Sequence, residues 1–262
     1  MLIAERRRRI LDHLRLRGYA SFRDLADALG ASESTVRRDL RAMADEGLLR
    51  ATRGGAGPLD GADAREPGPS RPDPVPAERS AIAATAAALI EPGSAVLLGP
   101  GRTTRELARR LTTVGPLTVV TNSVLVTTTL LDAGDAGDVD VVLLGGALRR
   151  SIQACVGPIT EQNLRELRGA QVFVSGEGVT VERGLTTPNV FAAATDAALV
   201  AAARQVVVLA DHTKLGRDTM CQTVPTARMD VLVTDAGADA AQVRALAAAG
   251  VDVRLATPDT AR

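Results

Sequence analysis

The strongest constraint on the fold is an alternation of apolar runs and helical patterns across the last two thirds of the chain. Seven short runs rich in Val, Leu and Ala are typical of buried strands: Ala95–Leu98, Leu117–Thr121, Val139–Leu144, Val172–Ser175, Val206–Ala210, Val231–Thr234 and Val251–Leu255. Helical patterns between several of them lie at Thr103–Leu111, Asn189–Ala203 and Asp239–Ala249. This order predicts a Rossmann-like α/β domain built on a mainly parallel sheet.

The composition agrees with that fold and narrows the function. Hydrophobic residues make up 45% of the chain and aromatic residues only 2%, which disfavours a protein that stacks single-stranded bases on aromatic rings. Cys155 and Cys221 are far apart with no nearby His, so neither a disulfide framework nor a metal site is predicted, and no cofactor is expected. The first residues do not predict a signal peptide, and the apolar run Ala81–Ile90 is too short to span a bilayer. A cytoplasmic protein with no membrane partner is therefore predicted.

The formal net charge is zero, but the charges are unevenly distributed. Residues 1–55 hold twelve arginines and eight carboxylates, whereas the remainder holds nineteen basic and twenty-three acidic residues. This asymmetry is expected when one end of a chain meets a polyanion, although a solvated basic face would give the same count. With the Pro- and Gly-rich stretch that follows, it predicts a basic domain suited to DNA over 1–57, a linker over 58–77 and the separate α/β domain over 78–262.

The first domain has the pattern of three helices. The first is predicted over Ile3–Arg17, and Ser21 with Asp24 forms a capping box that opens the second. Gly30 supplies the tight turn, and Ser32 caps the third helix. Two helices joined by such a turn are typical of a helix-turn-helix, and the basic hairpin sequence that follows indicates a wing.

The third helix has an apolar stripe of Val36, Leu40 and Met43, and its opposite face carries arginines. Arginine can donate to guanine or to phosphate, and glycine lets the backbone approach the sugar-phosphate chain. The predicted DNA contacts are the outer face of this helix and the hairpin, namely Ser32, Ser34, Thr35, Arg37, Arg38, Arg41, Arg53, Gly54 and Gly55. An ordinary amphipathic helix would show the same two faces, but the ordered set of helices, turn and hairpin favours DNA binding.

Small and polar residues follow several of the predicted strands, at the edge where open α/β sheets bind ligands. One such loop runs directly into a helix, whose first N–H groups could hold an anion together with Arg102. The predicted effector contacts are Gly101, Arg102, Thr103, Thr104, Asn122, Ser123, Gly145, Gly146, Asp211 and Lys214. For any one loop taken alone, turn chemistry is the favoured explanation, because glycine-rich turns are common in such folds.

Lys214 is the only lysine in the chain. Either a compact, movable charge is needed at this position, or its survival is chance. His212, two residues earlier, is interpreted as a surface residue of the loop rather than as a catalytic base. No Ser-His-Asp set or pair of carboxylates suited to acid-base catalysis stands out, so no catalytic residue is proposed.

Two parts of the chain resemble one known family. The stretch Ser32–Leu40 and the hairpin Arg50–Ala56 are similar to the helix-turn-helix and wing of the DeoR family of bacterial transcriptional regulators. The later stretches that resemble its effector domain are Val120–Ser123, Leu144–Gly146, Gly157, Gly184–Thr187 and Leu209–Arg217. This resemblance implies a sensor related to the ribose-phosphate isomerase and CoA-transferase superfold, which typically binds a phosphorylated sugar.

The chain departs from the family pattern at four positions. Gly99 and Arg102 stand where the family usually has an aspartate and a hydroxyl residue. Gln171 replaces a common aspartate, and Asp196 stands where a lysine is frequent. These changes leave three readings open: altered anion selectivity, a different effector, or a degenerate pocket.

The resemblance implies a repressor of a carbohydrate catabolic operon that a phosphorylated sugar or related metabolite releases from DNA. Its expected partners are a double-stranded DNA operator, that effector, and further copies of the chain in a homo-oligomer, a dimer or tetramer. One alternative is a sugar-phosphate isomerase-like enzyme with an accessory DNA-binding module. The other is a structural DNA-binding protein with a vestigial sensor.

Overall fold

The computed structural model describes residues 3–17, 20–45, 49–52, 55–57, 74–133 and 138–257. The chain divides into two compact units, Met1–Arg65 and Glu66–Arg262. Within the described residues, no helix combines the length and the apolar character needed to cross a membrane.

The first unit contains three helices and a small antiparallel sheet. Its helices are α1 (Ile3–Arg17), α2 (Phe22–Leu29) and α3 (Glu33–Asp45). Its strands are β1 (Ala20–Ser21), β2 (Arg50–Thr52) and β3 (Gly55–Gly57), in the order β1-β3-β2. The three predicted helices and the hairpin are therefore confirmed.

The capping box that predicted α2 is present. The Ser21 Oγ accepts the Asp24 N–H at 3.1 Å, and the Asp24 carboxylate accepts the Ser21 N–H at 3.2 Å. Gly30 ends the helix at a φ of 60°, a left-handed conformation that glycine adopts without strain. The turn into α3 is thus set by local sequence.

The apolar stripe of α3 packs against the other two helices, as its spacing predicts. The buried core of this unit consists of Ile10, Leu14, Ala20, Leu25, Ala26, Leu29, Val36, Leu40, Met43, Leu49 and Ala56. An ion pair joins α1 to α3, with the Arg6 Nε 2.5 Å from the Asp39 Oδ2. The hydrogen bond to Asp39 raises the pKa of Arg6. Arg6 therefore has a structural partner.

The second unit alternates helices and strands. Its helices are α4 (Pro76–Ala87), α5 (Arg102–Leu111), α6 (Val124–Asp132), α7 (Pro158–Arg165), α8 (Val190–Ala201) and α9 (Ala240–Ala248). Its strands are β4 (Ala95–Leu98), β5 (Leu117–Thr121), β6 (Val139–Leu143), β7 (Ala147–Arg149), β8 (Ala154–Val156), β9 (Gly169–Val174), β10 (Gly178–Thr180), β11 (Gly184–Thr187), β12 (Ala203–Leu209), β13 (Cys221–Val224), β14 (Val231–Asp235) and β15 (Asp252–Ala256).

Seven of these strands form one sheet in the order β15-β14-β12-β9-β4-β5-β6. Every neighbouring pair in it is parallel. All seven apolar runs identified in the sequence are strands of this sheet, so the predicted architecture is confirmed. Apolar clusters line both faces of the sheet, and fully buried residues of β12 alternate between them: Val206 and Val208 in one cluster, Val207 and Leu209 in the other.

Several smaller elements are absent from the sequence prediction. A second sheet of order β10-β11-β13 and the β7–β8 hairpin are antiparallel. Their runs of three or four residues are too short to give a clear period. The predicted linker, 58–77, also extends two residues too far, because α4 begins at Pro76. Proline is well tolerated in the first turn of a helix, so the start of a helix is hard to recognise within a proline-rich stretch.

Candidate DNA-contact face and effector cleft

The outer face of α3 presents two unengaged guanidinium groups. Arg38 and Arg41 are exposed, and neither has a hydrogen bond or ion pair with any residue that the structure describes. Arg37 is also exposed, but its Nη2 lies 3.4 Å from the Glu33 Oε2 and its guanidinium stacks 4.6 Å from the centroid of the Phe22 ring. Arg38 and Arg41 are therefore free to contact a polyanion, whereas Arg37 is partly engaged.

The hydroxyl groups at the start of α3 are used locally. The Ser32 Oγ accepts the Thr35 N–H at 3.3 Å, and it lies 2.8 Å from the Thr35 Oγ1 and 3.0 Å from the Ser34 Oγ. Ser32 therefore caps the helix as its sequence position predicts. This network fixes the first turn of α3 beside its exposed face.

The hairpin after α3 gives Gly55 a structural reason to be glycine. Gly55 is buried in β3, and a Cβ atom there would lie 2.1 Å from the Ala20 carbonyl oxygen of β1. Close strand pairing thus explains this glycine better than the predicted approach to a sugar-phosphate chain. Arg53 and Gly54, the other predicted hairpin contacts, lie outside the described residues.

In the second unit, a partly enclosed cleft lies at the carboxyl ends of the central strands. The empty space that it borders is about 300 Å³ and includes open solvent, so the enclosed part of the cleft is much smaller. It is lined by Arg79, Arg102, Thr103, Ser175, Glu177, Leu209, Ala210, Asp211 and Lys214. Four predicted effector residues meet here, namely Arg102, Thr103, Asp211 and Lys214.

Two ion pairs cross this cleft. The Arg79 Nη2 lies 3.2 Å from the Asp211 Oδ2, with both side chains almost fully buried. The Lys214 Nζ lies 2.6 Å from the Glu177 Oε2, and these side chains are 15% and 17% exposed. Three cations therefore face two carboxylates, so the lining keeps an excess of one positive charge.

The pKa of Asp211 lies below its usual range. Burial by itself would raise this pKa, but the hydrogen bond from the Thr213 hydroxyl and the positive charges of Arg79 and Lys214 together outweigh that effect. Asp211 is therefore an anion that holds its surroundings in place rather than an acid ready to donate a proton.

The amino end of α5 supplies a further positive potential. Gly101 occupies its N-cap position at a φ of 148° and offers no side-chain cap, while the Arg102 side chain lines the cleft. The N–H groups of a first helical turn favour a bound anion. Thr104 is fully buried and donates to the Gly101 carbonyl at 3.0 Å, so this side chain shapes the loop.

Besides Gly101 and Thr104, four further predicted effector residues do not line the cleft. Ser123 is buried and its Oγ caps α6 by accepting the Val126 N–H at 3.3 Å, and the buried Asn122 Nδ2 donates to the Cys155 carbonyl at 2.8 Å. Gly145 and Gly146 precede the β7–β8 hairpin, and a Cβ at Gly146 would lie 2.1 Å from the Thr160 Oγ1. These residues lie in the loops that follow β5 and β6. They match the family pattern, but they do not line this cleft.

The sequence analysis also missed five lining residues, of which three are polar. Arg79 lies on α4, which was not predicted as a helix, and Ser175 and Glu177 follow β9. The signal for Glu177 was present, because its Gly-Glu-Gly loop follows a predicted strand. Arg79 and Asp211 are 132 residues apart in the chain. No local sequence pattern therefore reveals that Arg79 belongs to the cleft.

The departures from the family pattern differ in their bearing on the cleft. Arg102 lines it directly. Gln171 lies within β9 and donates to the Leu89 carbonyl at 3.0 Å and to the Gln205 Oε1 at 2.7 Å, and neither it nor Asp196 lines the cleft. Gly99 is buried and donates its N–H to the Phe173 carbonyl at 2.9 Å. Of the residues at these four positions, only Arg102 lines the cleft.

His212 lies beside the cleft loop but does not line it. Its Nδ1 is 2.9 Å from the Asp235 Oδ2, and its backbone N–H donates to the Asp235 Oδ1 at 2.7 Å. His212 is one-third exposed and fastened to the neighbouring strand end. This partly agrees with its interpretation as a surface residue, and it adds a role in holding the loop.

Two family models match the chain. The DeoR-like helix-turn-helix domain matches residues 6–60, and the DeoR C terminal sensor domain matches residues 75–236. The chain belongs to the DeoR family of transcriptional regulators. It is a regulator rather than an enzyme, which removes the isomerase alternative.

Curated DeoR-type regulators match almost end to end. The HTH-type transcriptional regulator GlpR of Haloferax volcanii is 35% identical over 97% of this chain and 98% of its own. The transcriptional repressor AccR of Agrobacterium fabrum is 30% identical over 89% of this chain and 90% of its own. Among solved structures, ribose 5-phosphate isomerase A from Methanocaldococcus jannaschii matches 52% of this chain and 53% of that chain, with 17% identity and a TM-score of 0.38.

Proposed function

We propose that this DeoR-family protein is a cytoplasmic repressor of a carbohydrate catabolic operon, released from its operator by a phosphorylated sugar. The observation that carries the effector part is the cleft in which Arg79, Arg102 and Lys214 gather beside the amino end of α5. Release requires that the metabolite bind the DNA-free protein more tightly than the DNA-bound protein. A metabolite with the opposite preference would strengthen DNA binding.

For the DNA-binding step, α3 is the element that would enter the major groove, which is about 12 Å wide. Its free guanidinium groups, Arg38 and Arg41, lie on the face opposite the buried stripe. Each can donate two hydrogen bonds to guanine or neutralise a phosphate. Arg37, held by Glu33 and Phe22, is proposed to make a smaller contribution.

For the effector, the lining chemistry favours a ligand with an anionic end and several hydroxyl groups. A phosphate at the first turn of α5 would meet backbone N–H groups and the Arg102 guanidinium. Glu177 could accept hydrogen bonds from sugar hydroxyls, while Lys214 could donate to a hydroxyl or carbonyl oxygen. A sugar without its phosphate would leave the anion site unfilled.

The test uses the full chain and DNA from upstream of its own gene. Melting temperature is first measured with phosphorylated pentoses and hexoses, the parent sugars and inorganic phosphate. Any compound that raises it is then titrated into the protein–DNA complex, with release followed by fluorescence anisotropy. We expect at least one sugar phosphate to stabilise the protein and release DNA, because a ligand at 100 times its Kd stabilises by about 2.7 kcal/mol.

Arg102→Ala is the matched variant for this experiment. It should keep operator affinity and lose the response to the sugar phosphate, because Arg102 lies in the cleft and not on α3. A parent sugar acting as well as its phosphate would contradict the proposed anion site. Stabilisation by no metabolite at all would favour the vestigial-sensor alternative.

A further inference from the structure

The two edges of the seven-stranded sheet are built differently. At one edge, β15 carries Asp252 and Arg254, paired at 2.7 Å and both exposed, which is a usual protection against edge-to-edge association. At the other edge, β6 has the sequence VDVVL, in which Asp140 is the one charged residue. Val142 is 42% exposed and Leu143 is 47% exposed. Among the described residues, no strand pairs with the outer side of β6.

The backbone of β6 presents its hydrogen-bonding groups outward at alternate positions. The Leu144 N–H donates to the Thr121 carbonyl at 2.8 Å, and the Asp138 carbonyl accepts the Leu117 N–H at 2.8 Å. Even-numbered residues of this segment therefore face β5. Because the N–H and C=O directions alternate along a strand, Val139, Val141 and Leu143 direct theirs to the open edge.

Further apolar surface lies on the elements next to this strand. Leu131, on the helix α6 that packs against β6, is 67% exposed, and Leu148 in the β7 strand that follows is 57% exposed. Exposed aliphatic side chains thus occur on elements that adjoin the open edge, in space for α6 and along the chain for β7. Such a combination marks an association surface.

We propose that β6 pairs antiparallel with β6 of a second copy of this chain, about a two-fold axis at Val141. In this register, Val141 of the two copies exchange hydrogen bonds with each other, and Val139 pairs with Leu143. These are the residues whose backbone groups point outward, so every outward group between Val139 and Leu143 has a partner. The two sheets would then form one continuous sheet.

The charge pattern of β6 favours a second copy as the occupant. The two-fold register places Asp140, the one charged residue of β6, opposite Val142 of the second copy, so the carboxylates do not face each other. The strand therefore pairs with itself without like-charge repulsion.

The sharpest test compares two charges at one position. In the full chain, Val142→Asp would place a carboxylate opposite Asp140 of the second copy, twice per interface, whereas Val142→Lys would place an ammonium there. Sedimentation equilibrium should show a dissociation constant raised by about tenfold or more for Val142→Asp. Val142→Lys should stay close to the wild type, because opposite charges across strands attract.

Leu255→Asp on the opposite edge strand is the matched control, since Leu255 is 53% exposed and should leave association unchanged. Circular dichroism and melting temperature establish that each variant folds. The swap Asp140→Lys with Val142→Asp should restore association. A monomeric wild type would overturn the proposal. So would an intact oligomer with Val142→Asp, or equal dissociation with Val142→Lys. None of these outcomes depends on the identity of the effector.

Discussion

The arginines of α3 and the cations of the cleft are positively charged side chains in opposite environments, the first exposed and the second largely buried. Arg38 and Arg41 are exposed and have no partner among the described residues. Arg79 is 8% exposed and paired with Asp211, and Lys214 is paired with Glu177. The first set is available to any phosphate that approaches, whereas the second is already largely neutralised.

This difference shows how one chain could bind DNA at one site and a small anionic effector at another. Exposed, unpaired cations attract a polyanion over a distance set by the ionic strength. Cations held by buried carboxylates can favour a ligand only when it matches their geometry and replaces part of their hydrogen bonding. Under the proposed function, affinity for DNA would come from free charge, and selectivity for an effector would come from charge that is already organised.

The largest expected contrast concerns salt. Between about 50 and 200 mM salt, operator affinity should fall by about 10³-fold if six or more phosphates are contacted, because counterions are released on binding. Effector affinity should fall by less than about tenfold over the same range, because buried pairs are screened less. Fluorescence anisotropy and calorimetry measure the two. Equal salt dependence would remove the distinction between the two sites.

The next effect concerns stability. Asp211→Ala should lower the free energy of unfolding by about 3–5 kcal/mol, because it leaves the Arg79 guanidinium buried beside an empty position. Arg38→Ala should change it by no more than about 0.5 kcal/mol, since Arg38 is exposed. Urea denaturation measures both variants. Replacing both partners by apolar residues, with Arg79→Met and Asp211→Leu, should recover much of the loss; no recovery would mean that the pair itself stabilises the fold.

A smaller effect separates neighbours on α3. Arg38→Ala should weaken operator binding by about 1–3 kcal/mol. Arg37→Ala should weaken it less, because Glu33 and Phe22 already engage that guanidinium. Gel-shift titration at one fixed salt concentration compares the two. If Arg37→Ala proved the more damaging, the assignment of the free face would be wrong.

The smallest effect depends on pH. The folded-state pKa of Asp211 is lowered, so its contribution to stability is complete above the unfolded value of about 3.9 and is lost as the pH falls toward the folded value. The difference in unfolding free energy between the wild type and Asp211→Asn should thus be constant near neutral pH and shrink below about pH 4. A difference that instead grew on acidification would contradict the lowered pKa.

Local sequence was sufficient wherever a short-range rule dictated the structure. The Ser21–Asp24 capping box, the Gly30 turn and the stripe of Val36, Leu40 and Met43 each involve residues within eight positions of one another. The seven strands were also predictable, because strands buried on both faces are nearly continuous apolar runs. Element type and order therefore followed from composition and period.

The effector site was only half predictable. Arg102 and Lys214 stood out because one begins a helix after a glycine loop and the other is the only lysine. Asn122, Ser123, Gly145 and Gly146 lie in similar loops, yet Asn122 and Ser123 make hydrogen bonds within the protein and Gly146 packs closely against Thr160. A loop at a strand end looks the same in sequence whether its polar groups face a ligand or its own backbone.

The amino-acid order by itself determined the two-part architecture, the helix α3 with its exposed arginines and the set of parallel strands, because helical and strand periods are short-range properties. Only the tertiary structure decided which charges meet. The Arg79–Asp211 contact joins positions 132 residues apart, and the outward side of β6 is defined by where the sheet ends. Such pairings depend on strand order and helix packing. These are set by interactions along the whole chain and cannot be read from a local pattern.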